Sequence, residues 1–293
     1  MLLFKHVASL QVFLSRRRAS GQTVGFVPTM GALHEGHLAL VRQSRTENNI
    51  TVASIFVNPT QFNQSDDLQA YPRLPGPDIA ALEEAQCDVL FMPAAEEVYP
   101  PELNTDLRID LSGLDEPMEG AFRPGHFAGV AQVVDRLLTI VEPQRLYMGQ
   151  KDYQQATIIR HLLRETARTT QLRVHPTVRE ADGLAMSSRN LRLSQDHRSR
   201  APRLYQTLWW AKDALAAGKT VSAIEKEALE RLQQPGFQPE YFSVVDGTTL
   251  QPVIDPEAHT VIVACLACWA GDVRLIDNVV LRSSMQAAST GQG

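Results

Sequence analysis

His34 and His37 stand three residues apart in the string Pro28-Thr29-Met30-Gly31-Ala32-Leu33-His34-Glu35-Gly36-His37. Ahead of it, Thr23-Val24-Gly25-Phe26-Val27 is a short apolar run that reads as a buried strand. Behind it, Leu38, Leu40 and Val41 followed by Arg42 and Arg45 read as an amphipathic helix. A glycine-spaced turn between strand and helix directs free backbone N–H groups and the positive end of the helix dipole at whatever lies above the sheet. Gly31 and Gly36 let a bulky anion approach the backbone. At helical spacing the two imidazoles share one side, so the pair suits phosphate. A structural zinc site would need about four ligands, and no neighbouring Cys or His supplies them. The spacing between Glu35 and His37 is not that of a zincin helix. An ordinary histidine at a helix start is the bland alternative for His37.

Three other stretches carry groups of the same kind. Asn58-Pro59-Thr60-Gln61-Phe62 follows the apolar run 50–57, and Pro59 ends that strand. In a parallel sheet it lies at the same carboxyl edge as the histidine turn, where Gln61 offers a neutral hydrogen-bonding amide. Gly149-Gln150-Lys151-Asp152 repeats the strand–glycine–helix theme. Lys151 at a helix start opposes the dipole, which a bound phosphate explains better than folding does. Asp152 and Gln155 have the spacing of a capping-box variant, a purely structural alternative. Asp182-Gly183-Leu184-Ala185-Met186-Ser187-Ser188-Arg189-Asn190 is a polar loop with two hydroxyls beside a guanidinium, suited to phosphate oxygens.

The elements that must hold these groups alternate strand and helix up to about residue 180. Strands are expected at 23–27, 50–57, 88–91, 145–148, 172–175 and 177–180, with helices at 4–20, from 38, from 77, at 126–141 and at 153–168. That alternation predicts an α/β fold with a Rossmann-like, doubly wound parallel sheet. Residues 93–125 form a proline- and glycine-rich excursion, a lid or binding loop if not a solvated surface loop. After residue 180 the texture changes. One long helix is expected from Ser194 to Ala217 and a second over 221–234, then strands at 241–245, 260–268 and 273–280, an α+β pattern. The expected domains are 1–180, a smaller α+β C-terminal lid domain at 181–282, and a small polar tail at 283–293 without order.

With 293 residues, 44% hydrophobic and 21% charged, the composition is that of a soluble globular protein. The formal charge of −5 gives no basic footprint for nucleic acid. No apolar run is long enough to span a membrane, and Met1-Leu2-Leu3-Phe4-Lys5-His6 does not begin a signal peptide. Three cysteines, an odd number, point to a reducing, cytoplasmic setting. Cys265 and Cys268 form a C-x-x-C inside an apolar run, where they read as small hydrophobes of a buried strand.

Taken together, Pro28–His37, Phe56–Phe62, Met118-Glu119-Gly120, Arg123-Pro124-Gly125-His126-Phe127, Gly149–Gln155, Arg179–Asn190 and Leu275-Ile276-Asp277-Asn278 resemble the pantothenate synthetase family, also called pantoate–β-alanine ligases. The blocks occur in the family's order and cover residues 20–280. The resemblance implies a nucleotidyltransferase-superfamily fold, a homodimer, and small-molecule substrates. It implies that ATP and (R)-pantoate form pantoyl adenylate and pyrophosphate with Mg²⁺, and that β-alanine then displaces AMP. It further implies that Met30, Gly31, Ala32, Leu33, His34, Glu35, Gly36 and His37 contact ATP, with both histidines on the phosphates and His37 catalytic. Lys151 would hold phosphate oxygens, with Gly149 and Asp152 on the adenosine side, Gln150 also at ATP, and the Val178 backbone at adenine. Met186, Ser187, Ser188 and Arg189 match a second phosphate loop, and Gln61 and Gln155 would hold pantoate. The resemblance leaves the Mg²⁺ ligands unassigned. Tyr147-Met148, where phenylalanine is common, the two strand cysteines and the tail are departures.

Two alternatives differ in class. Another adenylyltransferase of the superfamily would share the histidine block but lack the two glutamines and the 179–190 block. A nucleotide sensor would bind ATP without releasing AMP.

Overall fold

The computed structural model describes residues 1–61, 71–107 and 109–283. Phe62 and the tail after residue 283 lie outside the described residues. By its contacts the chain divides into two compact units. One comprises Met1–Asp115, Gly120–Gln150 and Ile158–Pro176; the other comprises Glu116–Glu119, Lys151–Thr157 and Thr177–Gly293.

The first unit is built on a six-stranded parallel sheet, β1(Leu2–Phe4), β2(Val24–Thr29), β3(Ile50–Ile55), β4(Val89–Phe91), β5(Arg145–Gly149) and β6(Gln171–His175), in the order β1-β4-β3-β2-β5-β6. Strand residues alternate between faces, and here both faces are apolar. Phe26, Val52, Phe91, Leu146 and Met148 pack toward the helices Val7–Ala19, His126–Val141 and Tyr153–Glu165. Val27, Ala53, Leu90 and Tyr147 pack toward Glu35–Glu47 and Pro75–Glu84. The His126–Val141 helix buries Phe127, Val130, Val134, Leu137, Leu138 and Val141, the face expected from its spacing. The chain builds β3 and β4 on one side of β2 and β5 and β6 on the other, so strand order reverses at β2 and β5. That point in an open parallel sheet is where ligands bind.

The second unit has a three-stranded antiparallel sheet, β7(Phe237–Asp246), β8(Val261–Ala270) and β9(Val273–Ser283). Helices Arg203–Ala216 and Val221–Leu232 cover one face through Leu204, Leu208, Leu215, Ile224 and Leu232 against Phe242, Ile262, Leu266 and Leu275. Cys265 and Cys268 are buried residues of β8, as their apolar run predicted.

Three expectations need correction. The single helix expected from Ser194 to Ala217 is two, Gln195–Arg200 and Arg203–Ala216. Pro202 between them has no N–H for the ladder. No strand forms over Thr177–Glu180: past Pro176 the chain reverses at Asp182-Gly183, and Arg179 bridges back to Ala185. β1, three residues long, carries no period that sequence reading could detect.

Candidate active site

β2 and β3 stay paired to their carboxyl ends, Thr29 opposite Ile55. Between β2 and β5 the ladder is only Gly25 with Arg145 and Phe26 with Leu146. Their carboxyl halves are unpaired with one another, which opens the sheet where the histidine turn leaves β2 and Gly149-Gln150 leaves β5. At Gly149 a Cβ would meet nothing within 4 Å.

The turn after β2 is held from below. Thr29 Oγ1 donates to the Ser54 carbonyl at 2.6 Å and accepts from the Gly31 N–H at 3.3 Å. Gly31 and Ala32 then adopt left-handed backbone with φ of 86° and 49°. A left-handed non-glycine residue costs about 1–2 kcal/mol, so something must hold Ala32 there. Asp78, in the first turn of the Pro75–Glu84 helix, does: Oδ2 accepts from the Ala32 N–H at 2.9 Å and Oδ1 from the Leu33 N–H at 2.7 Å. Asp78 is 3% exposed. A side chain at Gly31 would come within 3.0 Å of Asp78 Oδ2 in a strained conformation.

His34 is the extended N-cap of the Glu35–Glu47 helix. Its Nδ1 accepts from the Gly36 N–H at 3.1 Å, and His37 Nδ1 accepts from the His34 N–H at 3.3 Å. The rings lie 4.1 Å apart, centroid to centroid. A neutral imidazole that accepts at Nδ1 carries its proton on Nε2. Both histidines are therefore set as Nε2–H donors by the backbone they cap. The N–H groups of Gly31, Ala32, Leu33, His34, Gly36, His37 and Leu38 all have partners inside the turn or in Asp78. This corrects the expectation of several amides open to an anion. The two imidazoles lie at the positive end of the helix dipole. Glu35 pairs with Arg42 on the exposed helix face.

Gln61 ends the turn Pro59–Gln61 after β3 and is buried. Its Nε2 lies 3.0 Å from Met30 Sδ, and its Oε1 accepts from Asn58 Nδ2 at 3.3 Å. Buried His126, at the start of the 126–141 helix, holds the Gln61 carbonyl through Nδ1 at 2.9 Å. Met30, Gln61, His34, His37, Gly149 and Gln150 thus belong to one unit.

The remaining predicted residues belong to the second unit. Lys151 and Asp152 lie in a tight turn ahead of the 153–165 helix, their charged atoms 3.8 Å apart. Lys151's carbonyl accepts from Asn278 Nδ2 at 2.8 Å. Gln155 lies in the first turn of that helix. Its neighbour Gln154 is structural: Oε1 accepts from the Glu119 N–H at 3.1 Å and Nε2 donates to the Pro117 carbonyl at 2.8 Å. Val178's carbonyl accepts from the Met186 N–H at 3.0 Å. Ser187 Oγ accepts from the Arg189 N–H at 3.3 Å, and Asn190 Nδ2 donates to the Ala185 carbonyl at 3.0 Å. Among the described residues the Arg189 guanidinium has no hydrogen-bond or ion-pair partner. Arg179, ten residues earlier, is fully engaged.

Within the excursion 93–125, Met118–Gly120 is buried, while Ala121, Phe122, Pro124 and Gly125 are exposed. Glu119 is buried in the second unit, where Arg274 donates to both its oxygens at 2.7 and 2.8 Å and the Tyr241 hydroxyl donates at 2.9 Å. Arg274 also donates to Glu240. Burial would lower the Arg274 guanidinium, but the two glutamates more than reverse that and hold it above its ordinary range. Burial, then Glu119, push the Tyr241 hydroxyl well up. Sequence reasoning gave no role to Asp78, and it named Asn278 only within the 275–278 block; both act across long sequence separations.

In sequence and in fold the chain is similar to known proteins. The profile of the family described as Pantoate-beta-alanine ligase matches residues 2–280. Pantothenate synthetase of Porphyromonas gingivalis is 46% identical over 281 residues, which is 95% of this chain and 99% of that protein. The crystal structure of pantothenate synthetase from Thermus thermophilus superposes with a TM-score of 0.89 at 42% identity, covering 96% of this chain and 100% of that one. The Francisella tularensis pantoate-beta-alanine ligase, solved in complex with beta-gamma ATP and beta-alanine, gives a TM-score of 0.77 at 34% identity over 96% of this chain and 98% of that one.

Proposed function

The chain belongs to the pantoate-beta-alanine ligase family, and from that membership we propose how its residues divide the chemistry. The reaction is the ATP-dependent joining of pantoate to β-alanine to form pantothenate. In the first step a carboxylate oxygen of pantoate attacks the α-phosphorus of ATP. The bond to the bridging oxygen breaks, and pyrophosphate leaves with the electron pair. In the second the β-alanine nitrogen attacks the acyl carbon, AMP departs and the amine loses a proton. Substrate supplies the nucleophile each time, so the protein's work is to bring anions together and to stabilise charge growing on the leaving group.

His34 and His37 do this as neutral Nε2–H donors. The observation that carries the reading is that each Nδ1 accepts a backbone N–H. Such a donor, preorganised, is worth about 3–4 kcal/mol of barrier. Lys151, Ser187, Ser188 and Arg189 supply the remaining charge and hydrogen bonds to phosphate oxygens. That the Arg189 guanidinium has no hydrogen-bond or ion-pair partner among the described residues supports that role. Gly149, Asp152 and the Val178 backbone take the adenosine side, Gln150 contacts ATP beside them, and Met186 belongs to the second phosphate loop. Neutral Gln61 and Gln155 hold pantoate, whose hydroxyls a pocket built for hydrogen bonds discriminates strongly. Holding the reactants in line contributes up to about 7–11 kcal/mol more.

Among the described residues no three His, Cys, Asp or Glu side chains come together to hold a cation. Asp78, the carboxylate nearest the histidine turn in the hydrogen-bond network, has both oxygens on backbone amides. Among the described residues the side chains form no magnesium cage, and we assign Mg²⁺ to the nucleotide as its counterion, with no step routed through it. We assign the protein to the cytoplasm, which its three unpaired thiols suit, and to a homodimer, which sedimentation would test. No helix among the described residues is long and apolar enough to cross a membrane. Incubation with pantoate, β-alanine and ATP should yield pantothenate, AMP and pyrophosphate in equal amounts. ADP and orthophosphate instead would overturn the adenylyl route.

A further inference from the structure

Asp277 and Asn278 of β9 are consecutive, so their side chains emerge on opposite faces of the strand. Each reaches a different piece of the proposed phosphate machinery within the second unit. On one face Asp277, 4% exposed, receives Arg179 as a two-pronged pair, Nη1 to Oδ2 at 2.6 Å and Nη2 to Oδ1 at 2.9 Å. The same guanidinium donates to the Gly183 carbonyl at 3.0 Å and the Asn278 carbonyl at 3.3 Å, and lies 3.8 Å from the centre of the Tyr205 ring. Gly183 has φ of 92°, and a Cβ there would fall 2.4 Å from Tyr205. The root of the 183–189 loop is thus fixed in position and conformation. On the other face Asn278 Nδ2 donates to the Lys151 carbonyl at 2.8 Å. One strand dipeptide holds the loop and the lysine at once.

We propose that Asp277-Asn278 is a positioning element for the adenylation step, locking the 183–189 loop from one face of β9 and Lys151 from the other. The inference rests on the reading of Lys151 and Ser187–Arg189 as phosphate ligands. Neither Asp277 nor Asn278 touches a reacting atom; they act through the residues they hold. A displacement of about 1 Å at such a group can cost about a hundredfold in rate.

The test is a double-mutant cycle in single-turnover pantoyl adenylate formation, on full-length Lys151→Met, Asn278→Ala and the double variant. Asn278→Asp, equal in size but unable as a carboxylate to donate to the carbonyl, carries the test if the alanine variant does not fold. Asn278→Ala should slow adenylation by about 10- to 100-fold. In the Lys151→Met background it should change the rate less than about twofold, because the group it positions is gone. Multiplying effects would overturn the inference and leave the role of Lys151 standing. A Lys151→Met enzyme as fast as wild type would overturn that role and the inference together.

Discussion

Replacing Asp78 tests whether the histidine turn is held in shape by a carboxylate that lies 46 residues beyond Ala32 in sequence. Asp78 is 3% exposed and accepts two backbone N–H groups, from Ala32 at 2.9 Å and Leu33 at 2.7 Å. Hydrogen bonds to a charged group are worth about 1.5–3 kcal/mol each, and a buried N–H left without a partner costs about 1–3 kcal/mol. Asp78→Ala orphans two such groups and releases the left-handed Ala32, while relieving the burial of one carboxylate. The balance is a loss of about 3 kcal/mol. At about 2–4 °C per kcal/mol for a domain of this size, the melting temperature should fall by about 6–12 °C. Asp78→Asn keeps one acceptor and turns an amide NH₂ toward the other N–H, so about half that loss is expected. Displacing the turn displaces both imidazoles, and adenylation in the surviving folded protein should slow by about a hundredfold. Thermal unfolding by circular dichroism, paired with single-turnover adenylate formation, reads both. An Asp78→Ala protein that melts within a degree of wild type and adenylates at the wild-type rate would refute the reasoning.

His37→Ala should lower adenylation turnover by about a hundredfold or more with a modest change in ATP affinity, and unchanged single-turnover rates would remove the histidine from the chemistry. Gln61→Leu should weaken pantoate binding before ATP binding, read by calorimetry with each ligand separately; loss of ATP binding alone would contradict that assignment. Burial raises the Cys87 thiol to about 11 and the Cys268 thiol to about 12, and pushes Cys265 higher still. A raised thiol pKa keeps the neutral form as pH climbs, so at pH 8 only about one Cys87 in a thousand is thiolate, and fewer at the other two. The folded protein should resist iodoacetamide at pH 8 and take up three equivalents after denaturation, whereas rapid labelling of the native state would show a thiol in a different environment.

Much of the site was legible because its residues are near neighbours in sequence. His34 and His37 sit three apart after a glycine turn, and the capping geometry bears out their shared side. The alternation of apolar strands with helices foretold the parallel sheet, and the texture change after residue 180 foretold a second, antiparallel one. Most of what failed depends on long-range partners. The amides after β2 were expected to face an anion, and instead they bind Asp78 and the two imidazoles. Asp78 itself reads locally as nothing more than an acidic residue in a helix's first turn. Glu119 sits in a motif that looks like a surface excursion, yet it is clamped by Arg274 from 155 residues away. Pro202 was a local signal passed over: it separates the polar helix Gln195–Arg200 from the apolar-faced helix Arg203–Ala216.

Isotope exchange between labelled pyrophosphate and ATP isolates the first chemical step from everything after it. Exchange should require pantoate, proceed without β-alanine, and collapse in His37→Ala. Exchange that runs without pantoate, or only once β-alanine is added, would contradict an adenylate formed on the pantoate carboxylate.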